Sequence, residues 1–372
     1  SASRLAHAAP PGARRTGAPV ESAPPPPDLV ELGEPAPRHG SKLRKAAVLA
    51  GLGLTGLGVA AGTAAVKAPV CDTSVVQING EGICVAPEVA TSANHITRLL
   101  RTLPHMGSLD DSLASHQSDL HQPSRPTTRP LNDELTVVTW NLHHGDAADA
   151  LGSRNQTPEM IERMNEQKAD VYLLQEVAPY HVEELVNGLG MNGYYAQTTA
   201  LQGNLILVHP QLDVQANAKR VVNYGEQTTL DDVSAPRLLI DIPQGRASEP
   251  RVVQALRVGR PDGSTAVVWN THLMNGGDSP EERLAQAENS FAFVDAFAQP
   301  GEAVIGGGDL NSGADSEVVA QLAAHDFQTQ GARIDWFGAR GGTLTTEVSQ
   351  PETDSGVPLS DHPTVIAQLD NG

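Results

Sequence analysis

Ala303-Val304-Ile305-Gly306-Gly307-Gly308-Asp309-Leu310-Asn311-Ser312 is the part of the chain from which the remainder becomes intelligible. A short apolar run ends in three glycines, and an acid and an amide then stand two residues apart. The run predicts a buried strand whose end needs an unhindered backbone. Continued at the strand period, Asp309 and Asn311 would project from one rim. Gly, Asp and Asn also favour turns, so the same letters are compatible with a simple turn. The surrounding sequence has to choose.

The chain has 372 residues, enough for one large or two medium domains. Its formal net charge is −19, which argues against holding nucleic acid by electrostatics alone, because phosphate contacts need Lys and Arg. An acidic enzyme can still meet a phosphate through bound metal. Two cysteines, Cys71 and Cys84, exclude a cysteine-rich zinc module or a disulfide scaffold.

Residues 1–45 read as a disordered Pro/Ala-rich tail, with Pro24-Pro25-Pro26-Pro27 inside it and a basic cluster of Arg38, Lys42, Arg44 and Lys45 at its end. The uncharged stretch 46–66 has the apolar length of about 20 residues that a membrane-crossing helix needs. It reads as a transmembrane signal anchor or a cleaved signal sequence, with a soluble buried helix as the third alternative. Either of the first two puts everything after Lys67 outside the cytoplasm. On that oxidising side Cys71 and Cys84 could close a local disulfide. Residues 67–130 then read as an extracytoplasmic linker: a short amphipathic pattern at Ile96, Leu99, Leu100 and Leu103, followed by a Ser-, His-, Gln- and Pro-containing stalk.

The folded domain is expected over 131–372. Strand-like runs occur at Leu135–Trp140, Val171–Leu174, Tyr194–Thr199, Asn204–Val208, Arg237–Ile242, Val252–Val258, Ala266–Trp269, Arg333–Phe337 and Thr364–Leu369. Helices are predicted from a Thr157 cap with Pro158, at Val182–Leu189, from the Ser279-Pro280-Glu281-Glu282 capping box to Phe297, and at Glu317–Ala324. Strands outnumber helices and many connections are short. The class is α+β, with largely antiparallel sheets packed face to face and helices outside.

Polar groups recur just past the apolar runs, at Asn141, Glu176, Asn270, His272, Asp309 and Asn311, with Asp335 inside its own run and Asp361-His362 just before the last one. Singly each has a bland reading as a cap, a turn residue or a satisfied core histidine. Their recurrence at corresponding places favours a functional rim. The tandem His143-His144 is left out of that rim, because adjacent strand residues point to opposite faces.

Trp140-Asn141-Leu142, Gln175-Glu176-Val177, Thr271-His272-Leu273, Gly308-Asp309-Leu310-Asn311, Arg333-Ile334-Asp335-Trp336 and Ser360-Asp361-His362 follow one another in that order. Together they resemble the endonuclease/exonuclease/phosphatase superfamily, from about Leu131 onward and nowhere upstream. The resemblance implies a four-layered α/β/β/α sandwich of two mostly antiparallel sheets with a divalent metal, Mg2+ or Mn2+, at one rim. It implies Glu176 as the main metal ligand, with Asn141 beside it and Asp361 in support. Asp309 would orient or deprotonate the attacking water, and Asn311 would hold that water or the phosphate. His272 and His362 would bind phosphate oxygens and move protons, with Asp335 orienting His362. Arg237 is a candidate phosphate contact.

The expected activity is therefore metal-dependent phosphodiester hydrolysis outside the cytoplasm by a monomeric catalytic domain. Nucleic acid is the first expected substrate, and a phospholipid or phosphoinositide headgroup is the alternative. Aromatic residues are scarce, which disfavours a lipid-docking surface. A non-catalytic binding module is disfavoured, since every matched position holds a competent residue type.

Overall fold

Apolar residues on both faces of successive strands require cover on both sides, and the computed structural model provides it with two stacked sheets, each backed by helices. The structure describes residues 75–78, 81–84, 112–113, 115–145, 155–199, 202–222, 250–275 and 280–370. The 1–45 tail, the 46–66 segment, Cys71, Ser279 and Arg237 with its expected strand lie outside the described residues. Among the described residues no helix is long and apolar enough to cross a membrane.

A hairpin of β1 (Val75–Ile78) and β2 (Glu81–Cys84) comes first, followed by β3 (Asp119–His121) and β4 (Leu135–Asn141). Then come α1 (Thr157–Gln167), β5 (Val171–Val177), α2 (Val182–Leu189), β6 (Asn192–Gln197), β7 (Gly203–Val208) and β8 (Asp213–Val221). The chain continues with β9 (Val252–Gly259), β10 (Thr265–His272), α3 (Pro280–Phe297), β11 (Ala303–Asp309) and α4 (Glu317–Ala324). It closes with β12 (Gln328–Ala332), β13 (Asp335–Arg340), β14 (Thr343–Ser349) and β15 (Thr364–Asp370).

One sheet has seven strands in the order β14-β15-β4-β5-β7-β6-β3, the other six in the order β12-β13-β11-β10-β9-β8. Only β4–β5 and β10–β11 pair in parallel among these neighbours. Side chains alternate by the strand period between layers. Val137, Leu173, Ile206, Val268, Ile305 and Val365 fill the space between the sheets. Trp140, Leu174 and Leu205 face Met160, Met164 and Leu185 of α1 and α2. Trp269 and Val304 face Phe291, Val294 and Leu322 of α3 and α4. The four-layered α/β/β/α expectation is met.

The helices end as their sequences dictate. Gly190 takes the left-handed conformation that terminates α2 (φ 64), and the Ser316 side chain caps α4 by accepting from Val319 N. Thr157 is not a cap. It already belongs to α1, and its N–H donates at 2.9 Å to Asn155 Oδ1.

One expectation changes and one sharpens. The stretch read as a stalk is partly built into the domain: β3 pairs antiparallel with β6, and Leu113 and Ser118 are buried. Asn217 of β8 brackets Ser118, accepting from its N–H at 3.1 Å and donating to its carbonyl at 2.8 Å. Lys219 Nζ donates to Ser112 Oγ at 3.0 Å. Segment 112–121 thus touches both sheets. The glycines are the second case. The unhindered backbone expected there serves the packing of neighbouring strands, since a Cβ on Gly306, Gly307 or Gly308 would meet the carbonyl of Trp269, Trp336 or Thr271 at about 2 Å. They let three strands lie close, and Gly308, at φ 144, occupies backbone space closed to other residues.

Candidate active site

Strand direction collects the polar residues at one end of the sandwich. β4 and β5 run parallel and end at Asn141 and Glu176–Val177, while β10 and β11 run parallel and end at His272 and Asp309. β13 runs antiparallel to β11 and so begins where β11 ends, with Asp335 opposite Asp309. β15 runs antiparallel to β4, which places Asp361-His362, just before it, beside the end of β4.

Glu176 reaches the rim through an irregularity. The β5–β7 register shifts between Leu174 and Val177, and Glu176 itself has φ 52. Such a bulge re-aims a side chain, and a left-handed non-glycine residue costs on the order of 1 kcal/mol. Asn141 bridges the sheets. Its Nδ2 lies 3.0 Å from Asp309 Oδ2 and 3.2 Å from Glu176 Oε1. Beneath it, buried Gln175 Nε2 donates to Asn270 Oδ1 at 2.9 Å, and Asn270 Nδ2 donates to Leu174 O. Asn270 is therefore a clamp between the sheets and not a rim group.

Asp309 is buried, and Oδ1 accepts the Asn311 backbone N–H at 2.8 Å. Asn311 has φ 49, and its Nδ2 donates to Leu273 O at 2.9 Å. The strand therefore stops at Asp309 and a side-chain-closed turn follows. The strand reading holds as far as Asp309 and the turn reading beyond it, so Asn311 does not continue the strand period to the rim. Burial, reinforced by the charge of Asp335, raises the Asp309 carboxyl to about 7.

The two histidines differ. His362 Nδ1 lies 3.0 Å from Asp335 Oδ2, and its Nε2 lies 3.7 Å from Asp309 Oδ2 and 3.9 Å from Asp361 Oδ1. Burial alone would lower its pKa, but the hydrogen bond and charge of Asp335 override this and raise it to about 9. His272 Nδ1 instead faces Arg251 Nη1 at 3.1 Å. A guanidinium only donates, so this nitrogen accepts and the ring is neutral with its proton on Nε2. Nε2 points to Asp309 Oδ2 at 3.5 Å and Glu176 Oε1 at 3.9 Å. Burial, then the Arg251 charge, drives the His272 pKa well down. Arg251 is thus one of two arginines that the described structure brings to this rim, the other being Arg333, whose Nη1 donates to Asp361 O at 2.6 Å. Sequence offered Arg237, because Arg237 and Arg251 both border apolar runs and nothing local separates them.

Past β4 the chain leaves the strand. His143 and His144 take left-handed conformations, φ 47 and 63, and the His143 N–H donates to Asn141 Oδ1 at 3.0 Å. His144 Nε2 thereby lies 3.3 Å from Glu176 Oε2. The strand-period argument that left this pair out does not apply to a turn. Although burial opposes ionisation, His144, with Asn141, holds the Glu176 carboxyl below the ordinary carboxylate range. His272 adds little to this, being neutral.

Glu176, Asn141 and the largely exposed Asp361 offer oxygen donors, the donor type that suits a hard divalent ion. Asp309, Asp335 and His362 also present ligand atoms within 4.8 Å of one another. There, however, the Asp335 hydrogen bond already engages His362 Nδ1. The oxygen set fits an ion better, and the Asp–His–Asp set fits proton handling.

The sequence model of the Endonuclease/Exonuclease/phosphatase family matches residues 138–362. The endonuclease/exonuclease/phosphatase from Bacteroides vulgatus superposes with a TM-score of 0.52 at 15% identity, over 64% of this chain and 99% of that one. A functionally unknown conserved protein from Enterococcus faecalis gives 0.51 at 19% identity, over 64% and 100%. The human nocturnin catalytic domain with bound sulfate anion gives 0.50 at 17% identity, over 68% and 97%. No curated protein matches the chain by sequence. At these identities the structural likenesses show the fold, while the family match spans more than half of the chain. The protein accordingly belongs to the endonuclease/exonuclease/phosphatase family, a family of metal-dependent phosphoester hydrolases.

Proposed function

We propose that the chain is a divalent-metal-dependent phosphodiesterase that cuts nucleic acid. The observation that carries this reading is the pair of opposed histidines over Asp309: one held cationic by Asp335, the other held neutral with Nε2–H inward. A phosphodiester is anionic, and its hydrolysis needs donors on the phosphate oxygens and a carboxylate beside the nucleophile. Glu176, Asn141 and Asp361 would hold the ion, Mg2+ or Mn2+, which when bound offsets phosphate charge and acidifies water. Asp309, oriented by the Asn141 and Asn311 N–H groups, would take the proton from attacking water. His272 would donate through Nε2 to a non-bridging oxygen. His362 would protonate the leaving oxygen as the P–O bond breaks, and the nearby Asp309 would return the proton. Asn311, engaged with Leu273, acts through its backbone.

The large exposed hydrophobics among the described residues are the scattered aliphatics Leu120, Val221, Val348 and Val357, which supports nucleic acid over a lipid surface. The uncharged 46–66 stretch after a basic cluster supports placement outside the cytoplasm. A periplasm- or surface-dependent reporter fused at the C-terminus tests this, and a silent reporter would refute it.

For the activity, purified protein is incubated with plasmid DNA, RNA and sphingomyelin, with and without EDTA. EDTA-sensitive nicking with intact lipid is expected. Lipid cleavage with intact nucleic acid would replace this reading with the headgroup phosphodiesterase.

A further inference from the structure

Two left-handed non-glycine residues, His144 and Glu176, meet at one carboxylate, and a third, His143, lies on the turn that delivers His144. Asn141 Oδ1 fixes that turn by accepting from the His143 N–H, and the β5 irregularity fixes Glu176. The outcome is a carboxylate gripped at both oxygens from different elements. Asn141 Nδ2 holds Oε1 at 3.2 Å, and His144 Nε2 holds Oε2 at 3.3 Å. Strain gathered at one side chain marks a position that the fold over-determines. A ligating carboxylate works best when its rotation is fixed, and each Glu176 oxygen keeps a further lone pair for an ion.

We propose that His144 is a positioning residue for a divalent cation at Glu176, fixing the rotation of that carboxylate without ligating the ion. The inference rests on Glu176 and Asn141 as the ion site. His144 lies on the turn that Asn141 itself closes, so ligand and positioner are set by one backbone feature. Displacing the turn would misplace both.

The test titrates Mn2+ and Mg2+ into the full chain, by electron paramagnetic resonance of free Mn2+ and by calorimetry, for wild type, Glu176→Gln, His144→Ala and His144→Gln. Circular dichroism checks folding in each. Wild type should bind both ions and Glu176→Gln should bind neither. His144→Ala should weaken both by a similar factor, about 10- to 100-fold. His144→Gln, whose amide N–H can still reach Oε2, should recover most of the loss. Should His144→Ala misfold, His144→Leu, which keeps the bulk and lacks a donor, takes its place with the same expected loss. Unchanged affinities in His144→Ala, with Glu176→Gln defective, overturn the inference alone. Loss of Mn2+ with Mg2+ retained would make His144 a ligand and also overturn it. Wild-type binding by Glu176→Gln removes the ion site itself, and the inference with it.

Discussion

Asp309 is a buried carboxylate with a second one, Asp335, on the neighbouring strand, and its proton affinity is high for that reason. Near neutrality it is poised to accept a proton, which a fully ionised surface aspartate does poorly. Asp309→Asn and His362→Ala should each lower bis-p-nitrophenyl phosphate hydrolysis by about 10²- to 10⁴-fold, with far-ultraviolet circular dichroism unchanged. Wild-type rates in both would end the proposed mechanism. The same two groups set a pH window. In the proposed mechanism Asp309 works ionised, so activity should fall below about 7, and His362 works protonated, so activity should fall above about 9. Asp335→Asn removes the partner that raises His362. The alkaline limb of kcat/KM should then shift downward, toward the ordinary histidine value of 6.5. An alkaline limb that stays near 9 would mean that Asp335 does not tune His362.

At the scale of elements, the central strands were legible because β4, β5, β7, β9, β10 and β11 are buried on both faces and read as apolar runs. Their polar ends were legible for the same reason: an acid or histidine closing such a run stands out. β8, β12 and β14 were not. Asp213–Val221 and Thr343–Ser349 are edge strands with mostly exposed or half-buried side chains, and backbone pairing rather than side-chain transfer holds them. His144 was missed because the strand period was carried three residues past the end of β4. Gly308 is the most demanding point of the central strands. A Cβ there would lie 1.9 Å from Thr271 O at φ 144, so Gly308→Ala should destabilise by about 3 kcal/mol. A urea midpoint within error of wild type would contradict the close-approach argument. Lys219 is another strained position. Burial lowers its pKa to about 8 from 10.5. The unfolded chain then binds the proton more tightly, so stability rises as pH increases from about 8 to 10.5. Lys219→Met should raise stability by about 1–2 kcal/mol at pH 7 and abolish that rise. A loss of stability would show that the bond to Ser112 outweighs desolvation.

The whole molecule begins earlier than composition suggests. A boundary at 131 cuts away β3 and the Ser112 and Ser118 bonds that join both sheets. A chain starting at 131 should melt several degrees below one starting at 108, since 1 kcal/mol shifts Tm by about 2–4 °C at this size. Equal melting temperatures would return 112–121 to the status of a linker. The polar, Pro-containing composition concealed this, because the segment is anchored by hydrogen bonds and not by an apolar face.

The return of the last strand to the first sheet has a consequence in time. β4 and β5 can form early in synthesis, yet β15 must insert between β14 and β4 before His362 arrives beside Asp309. An emerging chain that has folded through β11 therefore carries Asn141, Glu176 and Asp309 without His362. Chains normally fold from the N-terminus as they emerge, so of the rim groups His362 is the last to arrive. A phosphoester hydrolase assembled in this order gains the Asp335–His362 pair only when β15 closes on β4.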